Sequence, residues 1–174
     1  RAFDQIMHDV CLQSLPVIFA MDRAGLVGED GPTHHGVFDL AYLRMFPNMT
    51  LMAPKDEAEL RDMLHTAASR CNGPVAIRYP RGAGIGAAMP PKPRLIEIGR
   101  AEVLKQAIMP ADSALIIALG QTVHPALDAA KELIRRGIDC TVVNARFVKP
   151  LDEQLLHELI THHALVVTVE DHVL

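Results

Sequence analysis

The chain has 174 residues, 49% of them apolar, with 17 Lys and Arg against 21 Asp and Glu for a formal net charge of −4. That length supports one large or two small domains, each with a hydrophobic core. The basic residues are scattered singly, which excludes the clustered positive footprint of a nucleic-acid or membrane-surface binder and points to a small-molecule substrate or a protein partner.

From the start, RAFDQIMHDVCLQS places Phe3, Ile6, Met7, Val10 and Cys11 on one face of a helix. LPVIFAMD follows as a continuously apolar strand, the pattern of a parallel sheet covered on both sides. A loop with four glycines, DRAGLVGEDGPTHHG, leads into a helix over GVFDLAYLRMF that ends at Pro47. MTLMAP is a second strand, and Asp56 with Glu59 three residues on reads as the capping box of the helix DEAELRDMLHTAASRC. GPVAIRYP is a third strand. GAGIGAAMPPKP then turns to small residues and prolines, a linker over residues 82–95. Its GAGIGA superficially fits a dinucleotide fingerprint, but Met89-Pro90-Pro91 follows where a helix is required, so it reads as a hinge.

Beyond the linker the grammar restarts: IGRAEVLKQ and SALIIALG as strands, TVHPALDAAKELIRRG as a helix closed by Gly137, DCTVVNARFV as one strand, DEQLLHELITHHA as a helix and ALVVTVE as a strand. The expectation is an α/β chain of two three-layer α/β domains with mostly parallel sheets, over residues 1–81 and 96–174. Cys11, Cys71 and Cys140 show no CxxC spacing and lie among apolar residues, the usage of a reducing, cytosolic compartment. No apolar run reaches the roughly 18 to 20 residues of a membrane helix, and no signal sequence heads the chain. A start at RAFDQIMHDV without Met, and a stop just after a strand pattern, read as a fragment of something longer.

Ligands of open parallel sheets collect at the carboxyl ends of strands. Two charged loops sit at such ends, DRAGLVGEDGPTHHG after the first strand and RYPRG after the third. Arg23 offers a forked cation, Asp30 an acceptor and His34 a group that exchanges a proton near neutral pH. The alternative is a solvated loop whose Asp and His cap the next helix. Metal ligation is disfavoured, because adjacent His34 and His35 tend to point apart and no HExxH or acidic cluster lies nearby. In RYPRG, Arg81 past Pro80 is freer to clamp a phosphate than Arg78, against the alternative of a surface salt bridge. His65, His124, His157, His162 and His163 lie on helices or at their ends, in solvated or capping positions.

DRAGLVGEDGPTHHGVFDLAYLR, MTLMAPKDEAELRDML and GPVAIRYPRG together resemble the pyrimidine-binding domain of the 1-deoxy-D-xylulose-5-phosphate synthase family. ALGQTVHPALDAAKEL, VVNARFVKPLDEQLL and VTVEDHVL are similar to that family's transketolase-type C-terminal domain. The resemblance implies a thiamine diphosphate and Mg2+ enzyme of the bacterial cytoplasm, or of the plastid stroma in a plant. Such an enzyme condenses pyruvate, with loss of CO2, and D-glyceraldehyde 3-phosphate at the entry to the non-mevalonate isoprenoid route, which also feeds thiamine biosynthesis. It implies that His34 serves the reacting carbonyl oxygen, Asp30 the acceptor's hydroxyls, and Arg23 and Arg81 its phosphate, with Arg1 near the active site. It also implies a homodimer, and a missing N-terminal part that carries the GDG motif for diphosphate and magnesium. On that basis this chain holds half of an active site and is inactive alone. The alternatives are a transketolase-like protein or a 2-oxo acid dehydrogenase β subunit, which share these domains, and a non-catalytic dimerisation module.

Overall fold

The computed structural model describes residues 2–173. The chain opens with a short helical turn, α1 (Phe3–Gln5), continued by a wider π-helical stretch over Ile6–Cys11. Strand β1 (Ile18–Met21), helix α2 (Asp39–Leu43), strand β2 (Thr50–Met52), helix α3 (Glu57–Arg70) and strand β3 (Val75–Arg78) follow. The second half runs β4 (Glu102–Lys105), β5 (Ala114–Ala118), α4 (Val123–Arg135), β6 (Cys140–Asn144), β7 (Phe147–Lys149), α5 (Glu153–His162) and β8 (Leu165–Val169). None of these helices is long and apolar enough to cross a membrane.

Two four-stranded sheets result, ordered β1-β3-β2-β7 and β4-β6-β5-β8. In the first, β3 lies parallel between β1 and β2, with Ile18 and Thr50 both opposite Val75. In the second, β5 lies parallel between β6 and β8, and only β4 runs antiparallel. The mostly parallel α/β architecture agrees with the pattern of alternating strands and helices in the sequence. No helix or strand interrupts the stretch between β3 and β4.

Three local expectations need correction. DCTVVNARFV is not one strand: Arg146 adopts φ 58, and after this turn β7 leaves the second sheet to pair antiparallel with β2, Met52 opposite Phe147. One strand of the second half thus completes the first sheet. Strand β1 is not covered on both sides. It stands at a sheet edge, with Ile18 at 36% exposure and Ala20 exposed as well. An apolar run signals burial only where neighbours exist on both flanks. The capping box also forms only by half, since Asp56 accepts the Glu59 amide at 2.8 Å while Glu59 turns inward.

Glu59 then joins the two halves. It is 2% exposed, accepts from the Lys55 amide at 2.8 Å and from Arg146 Nε at 2.7 Å, and receives Asn144 Nδ2 at 3.0 Å. A buried carboxylate needs this many donors to offset its lost hydration. Apolar packing crosses the same boundary, where Leu119 and Ala145 join Leu43, Leu51 and Ala53 in one cluster. Gly120 (φ 60) allows the approach, because a Cβ there would stand 3.3 Å from the Ala53 Cβ.

Candidate active site

The parallel strands β1, β2 and β3 all deliver their following segments to one edge of the first sheet. After β1 the chain turns through Arg23 at φ 66 and Gly25 at φ 74, left-handed conformations that favour glycine. Gly25 and Gly36 exchange backbone hydrogen bonds, at 2.9 and 3.0 Å, and so close residues 25–36 into a loop with a narrow neck. Only glycine fits at position 36, where a Cβ would stand 2.3 Å from the Arg23 carbonyl oxygen. Inside the loop the Val27 amide donates to His35 Nδ1 at 3.0 Å. The Ala24 amide donates to the Tyr79 carbonyl at 3.0 Å, stitching the loop to the exit of β3.

Within this frame Arg23, Asp30 and Arg81 come together. Arg23 Nε donates to Asp30 Oδ2 at 2.8 Å, and Arg81 Nη1 pairs with Asp30 Oδ1, so two loops reach one carboxylate from two directions. Arg81 Nη2 also lies 3.3 Å from Glu29. The hydrogen bond from Arg23, helped by Arg81, holds the Asp30 carboxyl below its ordinary range, while Asp30 and then Asp22 raise Arg23. The side chains of Arg23 and Arg81 are 35% and 40% exposed, available to a ligand at the surface. Val27, Gly28, Glu29, Arg81 and Gly82 line a shallow depression of about 370 Å³ here.

His34 ends a short turn over Pro32–His34 and is exposed, its Nδ1 3.0 Å from Thr33 Oγ1. His35 has a different partner, the Val27 amide, and no described hydrogen bond joins His34 to the arginine pair. Arg1 lies outside the described residues. Among those residues, no three His, Cys, Asp or Glu side chains stand close enough to hold a metal ion.

Arg78 departs from the surface-salt-bridge alternative. It is 2% exposed and held on all three nitrogens: Nε donates to Asp39 at 2.7 Å, Nη2 to the Gly36 carbonyl at 2.8 Å, and Nη1 pairs with Asp171. The sequence hides these partners because Asp39 and Asp171 look like ordinary helix and tail carboxylates, 39 and 93 positions away. His124 is likewise not simply solvated. It is half-buried, 3.4 Å from Asp56, beside a cleft of about 470 Å³ shared with Tyr79 and Gln121. His163 bonds the buried Thr141 at 2.7 Å.

The family model of the transketolase pyrimidine-binding domain matches residues 1–85, and that of the transketolase C-terminal domain matches residues 100–174. The chain belongs to the transketolase family. Among curated relatives, the 1-deoxy-D-xylulose-5-phosphate synthase of Syntrophus aciditrophicus is 59% identical over 174 residues, all of this chain and 26% of that protein. The enzyme of the same name from Thermomicrobium roseum is 60% identical over 171 residues, 98% of this chain and 27% of its own. The chain therefore spans about a quarter of the length of the curated relatives it matches. A solved split-gene transketolase, described as an inactive beta4 tetramer, superposes with a TM-score of 0.85 at 38% identity over 99% of this chain and 54% of that one. Transketolase from Campylobacter jejuni gives 0.64 at 25% identity, over 88% of this chain and 27% of that one.

Proposed function

We propose that this chain is the acceptor-binding part of a 1-deoxy-D-xylulose-5-phosphate synthase, a cytoplasmic transferase that condenses pyruvate, with loss of CO2, and D-glyceraldehyde 3-phosphate. The observation that carries the reading is the meeting of Arg23 and Arg81, from two strand-end loops, on the single carboxylate of Asp30. Two guanidinium forks aimed at one small anion suit a phosphate as well as a carboxylate. The similarity to synthases of that name, over nearly all of this chain and about a quarter of theirs, supports the same acceptor.

In this reading Arg23 and Arg81 grip the phosphate of the three-carbon acceptor, and the binding energy orients its distant aldehyde. Asp30, freed from part of its arginine pairing by the incoming phosphate, accepts a hydrogen bond from an acceptor hydroxyl. His34, exposed on the same loop, holds or delivers a proton at the carbonyl oxygen that becomes a hydroxyl. Thiamine diphosphate supplies the carbon nucleophile in this class of enzyme. Among the described residues no three His, Cys, Asp or Glu side chains could hold the Mg2+ that accompanies its diphosphate. We assign that half of the site to the part of a longer, homodimeric polypeptide that these residues do not include.

In the full-length enzyme, Arg23→Ala and Arg81→Ala should each raise the KM for D-glyceraldehyde 3-phosphate at least about tenfold, while the KM for pyruvate stays within about twofold. Equal effects on both substrates would remove the phosphate assignment. His34→Gln should lower kcat by about a hundredfold or more with both KM values little changed; unchanged turnover would refute its role.

A further inference from the structure

The neck of the loop that carries Asp30 and His34, with Arg23 two residues before it, is built partly by the far end of the chain. Residues 171–173 lie along residues 36–41: the Val173 amide donates to the Val37 carbonyl at 3.2 Å, and the Ala41 amide to His172 Nε2 at 3.4 Å. Asp171 is the centre of this contact. One carboxylate oxygen pairs with Arg78 Nη1, and the other accepts from Gln121 Nε2 at 2.5 Å. The Asp171 carbonyl receives Arg78 Nη2 at 3.3 Å, and the same nitrogen donates to the Gly36 carbonyl at 2.8 Å. A Cβ on Gly25 would stand 2.5 Å from Asp171 Oδ2, so the carboxylate rests directly against the other side of the neck.

We infer that Asp171, bonded by Gln121, is a positioning residue for the acceptor-binding loop: through Arg78 and Gly25 the second half of the chain fixes the neck that Arg23 leads into and from which Asp30 projects. The physical argument is one of leverage. Gly25 and Gly36 have no side chains with which to fix their own geometry, and Arg23, two residues from Gly25, is held in a left-handed conformation that nothing in its residue type favours. A charged contact between buried Arg78 and part-buried Asp171 supplies the constraint that the glycines lack. Asp171 acts through Arg78 and the backbone.

The inference rests on the reading of Arg23 and Arg81 as the phosphate grip. It is tested in the full-length enzyme with Asp171→Asn, which keeps the shape and removes the charge, and Gln121→Ala, which removes the hydrogen bond to Asp171 and the amide that stands beside Gly25. Asp171→Asn should raise the KM for D-glyceraldehyde 3-phosphate about tenfold, the scale of one charge-assisted hydrogen bond. Gln121→Ala should raise it about threefold, the lower end of one hydrogen bond's net contribution, because the Asp171–Arg78 pair stays in place, and the KM for pyruvate should stay within about twofold in both. Amide hydrogen exchange at Gly25 and Gly36 should quicken in Asp171→Asn, a readout independent of turnover. If Asp171→Asn does not fold, Gln121→Ala carries the same test. Unchanged exchange with unchanged kinetics, or an equal rise in both KM values, overturns the inference. If Arg23→Ala and Arg81→Ala raise the acceptor KM but Asp171→Asn does not, only the positioning role falls. If the arginine variants have no effect, the phosphate reading falls first.

Discussion

Arg78 and Arg81 leave the same strand three residues apart and carry the same charge, yet their surroundings are opposite. Arg78, the last residue of β3 and opposite Met21 in the sheet register, lies beneath the loop that follows β1, 2% exposed and paired with two carboxylates. Arg81 has passed Pro80 and rests on Asp30 and Glu29 at the surface, 40% exposed. The first is a fixed part of the scaffold and the second is available for exchange with a ligand. Residue type says nothing of this difference; the distance past the strand end decides it.

The comparison breaks most readily at Arg78. Arg78→Ala strands Asp39 and Asp171 without their cation and should lower stability by about 3–5 kcal/mol, the usual consequence of removing one member of a buried ion pair. Denaturant unfolding measures it, and a variant as stable as the parent would show that the cluster is not structural. Glu59→Ala applies the same rule where the two halves meet, leaving Arg146 and Asn144 without their shared acceptor. A loss near the lower end of that range, about 3 kcal/mol, is expected by the same measurement.

Arg81→Ala should do the reverse. The denaturation midpoint should be unmoved, because exposed pairs contribute little to folding, while the acceptor KM rises as proposed above. A large drop in stability would erase the distinction between the two arginines.

Asp139 provides an intermediate, acid-sensitive case. Lys105 Nζ at 2.5 Å, then the amides of Ile108 and Cys140, each at 2.8 Å, lower its carboxyl from the ordinary 3.8 to about 2. A carboxyl whose folded pKa is depressed stabilises the fold above its unfolded value and loses that contribution as the pH falls through its folded value. The stabilisation is therefore complete above about pH 4 and fades towards pH 2. Asp139→Asn should flatten the acid limb of a stability profile in that window and change nothing measurable in its pH dependence near neutrality. The smallest effect belongs to the thiol of Cys140, which burial raises above its ordinary value. It should react with a thiol reagent only on the timescale of unfolding.

How much of this was legible in advance follows from the range of each interaction. The strands and helices were readable because period-two and period-3.6 patterns are local, and the charged loops at strand ends were readable because parallel sheets gather their ligands there. The resemblance carried by DRAGLVGEDGPTHHG and RYPRG named Arg23, Asp30 and Arg81, and the fold brings those three together. What escaped were the partners joined over long separations. Glu59 reads as a capping residue because Asp56 is three positions before it, and only Arg146 and Asn144, 87 and 85 positions later, reveal its other role. The strand expected through VVNARFV broke at Arg146 because two different sheets compete for its two ends.

The sequence by itself determined the α/β class, the alternation of elements and the chemistry concentrated in the loop after β1, since propensity, periodicity and residue type act over a few positions. Tertiary structure alone decided which arginine is buried, which strand crosses between sheets and that Asp171 rests against Gly25. Burial and ion pairing depend on what the rest of the chain places nearby, and no local pattern encodes a neighbour some ninety residues away.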